Sequence, residues 1–286
     1  MLDVRPLDTS PAGIEETCEL LQAVYPHAHH ITTDYLNRLY NGNPLGPTFG
    51  FSAFEAGTLV GHYLMIPLVT KIHGVEEQGI WPFQLATRPG FRGKGLFSAL
   101  VEQSFDAARE RGYGHLVGVA NDMSTPIFVR KWDFLNIRPL DVKLGFGPIP
   151  DREGDSEEAG LQLERVWDSP GIGWRLGHPA APYRMRRRGQ RVDLFAPTGR
   201  FGIWAQIASL DHAQLPETLP DHKPAHPLRL WIGCDPRRNW SGRPYFDLPD
   251  RFRASPLNLL FYDLTDQGRT FDPDRVQYEV FDFDAY

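Results

Sequence analysis

The sequence predicts an α+β fold with mixed sheets, arranged as two domains. Three observations carry this. A chain of 286 residues exceeds one ordinary domain core. Short strand-like runs are interspersed with amphipathic helical stretches rather than alternating strictly with them. A Pro/Gly-bearing acidic stretch from Gly147 to Glu158 has no periodicity and divides the chain. The expected units are 1–146, a linker at 147–160, and a C-terminal α+β unit at 161–286. With 41% apolar and 23% charged residues the composition is globular. A net charge of −6 argues against a nucleic-acid partner. No apolar run reaches the ~20 residues of a membrane helix. Met1 to Pro6 lacks an apolar leader core, so the expected location is cytoplasmic, with no membrane partner. Cys18 and Cys234 match no metal or redox spacing.

Leu2, Val4 and Pro6 suggest a short opening strand. Ile14, Cys18, Leu21 and Val24 recur at helical spacing, and Thr32 to Asp34 offer the N-cap of a second helix bearing Tyr35, Leu36, Leu39 and Tyr40. Between them His27, His29 and His30 lie close together. With no carboxylate or cysteine at ligand spacing, they read as a polar loop and not a metal site. Phe49–Phe54 and Leu59–Val69 form strands joined at Glu55-Ala56-Gly57, and a further strand runs from Gly79 to Thr87. A basic, glycine-bearing loop then enters a helix whose apolar face holds Leu96, Leu100, Phe105 and Ala108 and which Gly112 stops. His115–Ala120 is the next strand, Ser124-Thr125-Pro126 starts a short helix, and Asn136–Leu144 is expected as one strand.

The loop Arg88-Pro89-Gly90-Phe91-Arg92-Gly93-Lys94-Gly95 combines free helix-start amides, the positive end of a helix dipole and the cations Arg92 and Lys94, which suits a phosphate. It is not a P-loop, because Gly95 follows Lys94 where Ser or Thr would stand. It is not a dinucleotide loop either, because Ser98 stands where the third glycine belongs. Thr87-x-Pro89-x-x-Arg92-Gly93-Lys94-Gly95-Leu96 resembles the pyrophosphate loop of the GCN5-related N-acetyltransferases. Asn121 and the closing Lys131-Trp132-Asp133-Phe134 are similar to a second segment of that family. The resemblance covers about residues 1–145 and implies the mixed-sheet acyl-CoA N-acyltransferase fold. It implies acetyl-CoA, or another short acyl-CoA, as donor substrate, no metal, and a small-molecule amine as acceptor.

The same resemblance implies cofactor contacts from Leu85, Ala86 and Thr87, from Arg92, Gly93, Lys94, Gly95, Leu96, Phe97 and Ser98, and from Asn121, Phe128 and Lys131. Phe97 replaces a second small residue of the family pattern. Val129 stands where members commonly have the tyrosine that protonates the departing thiolate. Glu77 and His62 are the candidate acid–base residues, with His29 behind them. Deprotonating an amine of pKa ~10.4 at pH 7 costs about 4.6 kcal/mol, against about 1.4 kcal/mol for one near 8. The thin acid–base inventory therefore favours a low-pKa amine, such as an amino sugar or α-amine. Asn43-Pro44-x-Gly46 followed by Arg92-Gly93-Lys94-Gly95-Leu96-Phe97 resembles acetyltransferases of bacterial surface-polysaccharide synthesis, which implies an amino sugar. A tRNA-dependent aminoacyl transferase and a non-catalytic acyl-CoA-binding module are the alternatives.

The second unit contains no R-G-x-G loop. Trp174 to Tyr183 echoes Leu39 to Thr48, an aromatic-ended helix followed by X-Pro-x-x-Pro, so the unit reads either as a degenerate second half or as an unrelated α+β cap. Arg184-Met185-Arg186-Arg187-Arg188 suits a solvated edge strand, since charge discourages edge pairing. Trp167, Trp174, Trp204, Trp231 and Trp240 read as core residues rather than a stacking platform.

Overall fold

β1 (Leu2–Pro6), α1 (Pro11–Val24), α2 (Thr33–Asn41), β2 (Phe49–Glu55), β3 (Thr58–Ile72), β4 (Val75–Thr87), α3 (Leu96–Glu110), β5 (His115–Asn121), α4 (Thr125–Trp132) and β6 (Leu135–Pro139) open the chain. They are seen in a computed structural model that describes residues 2–154, 156–177, 183–200, 202–215, 227–253 and 255–283. β7 (Asp141–Phe146), β8 (Leu163–Val166), α5 (Ser169–Leu176), β9 (Arg184–Arg188), β10 (Arg191–Pro197), β11 (Ile203–Asp211), β12 (Leu228–Cys234), β13 (Tyr245–Asp247), β14 (Leu257–Asp263) and β15 (Tyr278–Glu279) follow. The cap expected at Thr32 is in place, and α1 has one at Ser10. Ser10 accepts from the amide of Gly13, with Pro11 in the first turn of α1, and Thr32 accepts from the amide of Tyr35. Ala56 and Gly57, both at positive φ, make the two-residue turn between β2 and β3.

The first sheet has the order β1-β2-β3-β4-β5-β14-β6, with β8 on the far half of β3's edge beyond β2. The second has the order β13-β7-β12-β11-β10-β9, with β15 on β12. The strand expected over Asn136–Leu144 is two strands in different sheets. Pro139 has no N–H for a ladder, and the chain leaves the first sheet there to enter the second as β7. β14, from the C-terminal part, fills the gap between β5 and β6 in the first sheet. Sheet membership thus crosses residue 146 in both directions.

Residues 149–153 do not run free between the sheets. Ile149 is buried, and Arg238 donates to the Pro150 carbonyl. Arg152 bridges Asp235 and Glu279, and Asp151 pairs with Arg188. β9 is an edge strand, with Met185 inward and Arg184 over the Trp204 ring. Trp174 and Trp231 are buried. The echo beyond α5 lies largely at 178–182, outside the described residues.

α3 covers one face of the first sheet through Leu96, Leu100, Phe105 and Ala108. α1 and α2 cover the other, where Leu64, Ile66, Phe261 and Val117 belong to one apolar core with Leu194, Ile207 and Ile232 of the second sheet. α2 also meets α5. Arg38 donates to the carbonyls of Gly173 and Trp174, and the Trp174 indole donates back to the Arg38 carbonyl at 3.0 Å. Cationic capping of a helix C-terminus thus joins the two parts. No helix among the described residues is long and apolar enough to cross a membrane.

Candidate active site

β4 and β5 run parallel but pair in register only at Ile80–Leu116, after which they diverge. Pro82 follows at once and offers no N–H to a ladder. The register of β4 on β3 then slips between His62 and Leu64, and Gln84 takes φ +47°. A bulge of this kind bends its strand away from a neighbour. The divergence opens a cavity of about 560 Å³ through the sheet, within the range of small-molecule sites. Phe97, Phe128, Phe134 and Tyr63 line it on the α3–α4 face. Tyr25, Tyr35, Trp81, Phe83 and Phe283 line it on the other. Among the described residues no Asp, Glu, Lys or Arg lines it.

The basic loop stands at one mouth of this cavity. Gly90, Gly93 and Gly95 have φ of 90°, 79° and 77°, a region that glycine enters at little cost. The loop's path therefore depends on them. The amides of Arg92 to Phe97 take no partner among the described residues. They point out at the start of a fifteen-residue helix, where the dipole favours an anion. Lys94 rests over Phe91 at 4.7 Å and near Glu55 at 3.9 Å. Lys131 donates to the Ser98 hydroxyl and lies 3.7 Å from Glu102, which brings a third cation to the first turns of α3. Leu85 and Phe97 line the cavity itself, so loop and cavity are continuous. Leu96 instead is buried beneath the helix, and Ala86 and Thr87 pair with His62 and Gly61 of β3.

Phe97 takes the expected small residue's place by stacking on Trp132 at 5.4 Å and meeting Phe128 at 5.9 Å. α3 and α4 are thereby held by rings instead of close backbone contact. Asn121 and Ser124 line the cavity, but the Asn121 amide oxygen accepts from the amides of Met123 and Ser124 and from the Ser124 hydroxyl. That turn starts α4.

Glu77 lies away from the cavity, near the start of β4. Its carboxylate accepts from His115 Nδ1 at 2.9 Å and from Arg269 at 2.8 Å. The His115 hydrogen bond chiefly, with Arg269, holds its pKa at about 2. Burial holds His115 below its ordinary value, so the neutral ring donates to Glu77 and accepts from Thr70 at 2.8 Å. Because the folded-state pKa of Glu77 is depressed, its stabilisation is present above the unfolded value of about 4.3. It is lost as pH falls through about 2. Glu77→Gln is therefore expected to lower the urea midpoint at pH 7, to lose that deficit between about pH 4.3 and 2, and to leave turnover per folded enzyme unchanged. A large fall in turnover without a change in midpoint would contradict this reading.

His62 is fully buried, and burial alone takes it down to about 3. Its Nε2 is 3.1 Å from the Tyr40 hydroxyl, which donates to the Gln84 side-chain oxygen at 3.0 Å. Nδ1 has no partner. His62 thus reaches the cavity only through Tyr40 and Gln84, and Gln84 is the lining residue. His30 lines the opposite wall and meets Tyr35 edge-on at 5.7 Å. Among the described residues no three His, Cys, Asp or Glu side chains are grouped to hold a metal ion.

Sequence reading did not find Tyr25, Tyr35, Trp81, Phe83, Leu257 and Phe283 as cavity residues. Pro82 beside Gln84 in an apolar strand was the available signal for the break in β4.

A family model described as "Acetyltransferase (GNAT) domain" matches residues 4–134. A comparison with curated proteins found no match. The fold is similar to a GCN5-related N-acetyltransferase from Anabaena variabilis, with TM-score 0.62 and 10% identity over 92% of this chain and 73% of that one. It is similar to Eis1 from Mycobacterium abscessus, with TM-score 0.59 and 12% identity over 92% and 74%. It also resembles Saccharomyces cerevisiae N-myristoyltransferase with bound myristoyl-CoA, with TM-score 0.56 and 10% identity over 92% and 79%. At these identities the likeness is one of fold. Its span takes in both sheets, which fit two GNAT-like halves.

Proposed function

We propose, from the premise that this chain belongs to the GNAT superfamily of N-acetyltransferases, that it moves an acetyl or other short acyl group from acyl-CoA to the amine of a small molecule. The observation that carries this reading is the continuity of a cationic, amide-lined loop with a cavity running through the diverging strands. The yeast relative holds myristoyl-CoA on this fold, so an acyl-CoA donor suits it. The residues for the diphosphate would be Arg92 to Phe97 with Lys131, and the arm beyond it would pass Leu85 and Asn121. The loop fixes the donor and supplies orientation, whereas the chemistry belongs to the cavity. A cytoplasmic location, where acyl-CoA is available, accords with two buried free cysteines. The loop cations argue against a tRNA-dependent transferase, which has no diphosphate to hold.

We assign His62 a positioning role. Tyr40, tied to His62, holds the oxygen of Gln84, which leaves the Gln84 amide group to donate into the cavity. Tyr40→Phe is expected to lower kcat about tenfold with little change in CoA affinity. A neutral, buried His62 should add no step to the pH–rate profile between pH 5 and 9 in either protein. A step near pH 6 that disappears in His62→Gln would make His62 a base instead.

The test of the main reading is calorimetric titration with CoA, followed by thiol release from acetyl-CoA with and without amines. Binding plus amine-dependent release is the expected result. Binding with silence across amino sugars, amino acids, polyamines and aromatic amines would favour a non-catalytic module, the alternative that Val129 in place of tyrosine suggests. An amino sugar remains the finer expectation from sequence, but the uncharged aromatic wall gives it few partners.

A further inference from the structure

The cavity wall restricts the acceptor more than the loop restricts the donor. Among the described residues no Asp, Glu, Lys or Arg lines it. A protonated amine entering would find no carboxylate to replace its water, and desolvation favours the neutral form. Hydroxyl-rich ligands find few partners, because several of the wall's polar atoms are engaged, while the Tyr63 hydroxyl, unpartnered among the described residues, and the Gln84 amide group remain. The Asn121 oxygen and the Ser124 hydroxyl serve the α4 turn, the Tyr25 hydroxyl donates to the Leu85 carbonyl at 3.2 Å, and the Gln84 oxygen is held by Tyr40. What the wall offers is rings. On the face away from α3, Trp81 and Phe83 lie 4.7 Å apart, tilted by 44°, opposite Tyr25 and Tyr35 of the α1–α2 side, with Phe283 closing the rim. Such surfaces hold a flat ring by offset or edge contacts. Among the described residues no carboxylate lines the wall to act as base, and an amine already neutral at pH 7 requires none.

We propose that the acceptor is an aromatic amine of low basicity, its ring lodged between Trp81–Phe83 and Tyr25–Tyr35 and its neutral nitrogen directed at the diverging strands. The assignment rests on the acyl-CoA reading above. In the reaction the nitrogen lone pair forms the C–N bond to the thioester carbonyl carbon. The C–S bond breaks, the pair leaves with sulfur, and the proton lost by nitrogen is taken up by the thiolate, directly or through water. The products are an arylamide and free CoA thiol.

The experiment is thiol release by the full-length protein at saturating acetyl-CoA with aniline, benzylamine, glucosamine and spermidine. Aniline is expected to exceed glucosamine and spermidine at least 100-fold in kcat/KM, with a flat profile between pH 6 and 9. Benzylamine, of equal ring but a strongly basic amine, should rise about tenfold per pH unit over that range, because only its neutral fraction enters. Phe83→Glu, which puts a carboxylate on the wall, should shift the spermidine-to-aniline ratio at least tenfold toward spermidine while CoA affinity measured by calorimetry stays within threefold. Phe83→Leu should keep the wild-type order at reduced rate.

Faster turnover of glucosamine or spermidine than of aniline by the wild-type protein would overturn the acceptor assignment and leave the acyltransferase reading intact. Ready use of lauroyl-CoA, with aniline no better than water, would mark the aromatic space as an acyl-chain site and overturn it too. No CoA binding at all would overturn the underlying reading and this assignment with it.

Discussion

Gly93→Glu is expected to weaken CoA binding by about 100-fold or more while leaving the thermal midpoint within a few degrees of wild type. Two effects add. The residue sits at φ +79°, where a side chain costs about 1–2 kcal/mol, so the loop would turn its amides from their present direction. The new carboxylate would also stand where three cations and a helix start favour an anion, and would repel a diphosphate there. Crowding is not involved, because nothing lies within 4 Å of a Cβ built at Gly93. Gly93→Ala therefore isolates the backbone part, and about tenfold is expected from it. Lys94→Ala, removing an exposed cation already shared with Glu55 and Phe91, should cost only a few-fold. Calorimetric titration of CoA into the three variants tests the series. Unchanged affinity in Gly93→Glu would remove the loop from the donor site.

The parts of this site that were legible in sequence are those whose physics is local. Arg92-Gly93-Lys94-Gly95 states its own geometry, because positive φ, helix start and charge are written in adjacent residues. Thr32 as a cap, and the edge position of the Arg184–Arg188 strand, are of the same kind. His62 and Glu77 show the limit. Each is an ionisable group near the middle of the first sheet, and which one faces a ligand depends on partners 22 to 192 residues away. Arg269 and His115 occupy Glu77, whereas Tyr40 turns His62 into a prop for Gln84. The cavity wall was less legible still. Tyr25, Trp81, Leu257 and Phe283 come from four separate segments, and each alone reads as an ordinary apolar residue. Leu257 to Tyr262 has the apolar, β-favouring residues of a strand, but nothing in a strand's own residues names its neighbours.

That unseen pairing carries the second large expectation: residues 1–146 and 147–286 will not fold separately. In the first sheet β14 is paired with β5 from Leu257–Asn121 to Asp263–His115, and it is the only strand beside β6 among the described residues. Without it β6 has no ladder, and β5 keeps only its single register pair with β4, leaving an exposed apolar edge. The second sheet loses as much. β7 pairs with β12 from Phe146–Leu228 to Asp141–Gly233 and carries β13 on its other side. Each fragment is expected to be insoluble, with solubility and CoA binding recovered when the two are co-expressed. In the full chain Phe261, 1% exposed in β14, packs on His115 at 5.3 Å and Phe271 at 4.8 Å. Phe261→Ala should cost about 3–5 kcal/mol. Since the strands interlock, that loss should lower one shared urea transition, seen alike by the fluorescence of tryptophans such as Trp231 in β12 and by CoA binding at the first sheet. Two separated transitions, or a soluble 1–146 fragment that binds CoA, would show the halves to be independent. Coincident transitions would mean that the C-terminal part, which has no phosphate loop of its own, acts on the donor site by completing the sheet that holds it.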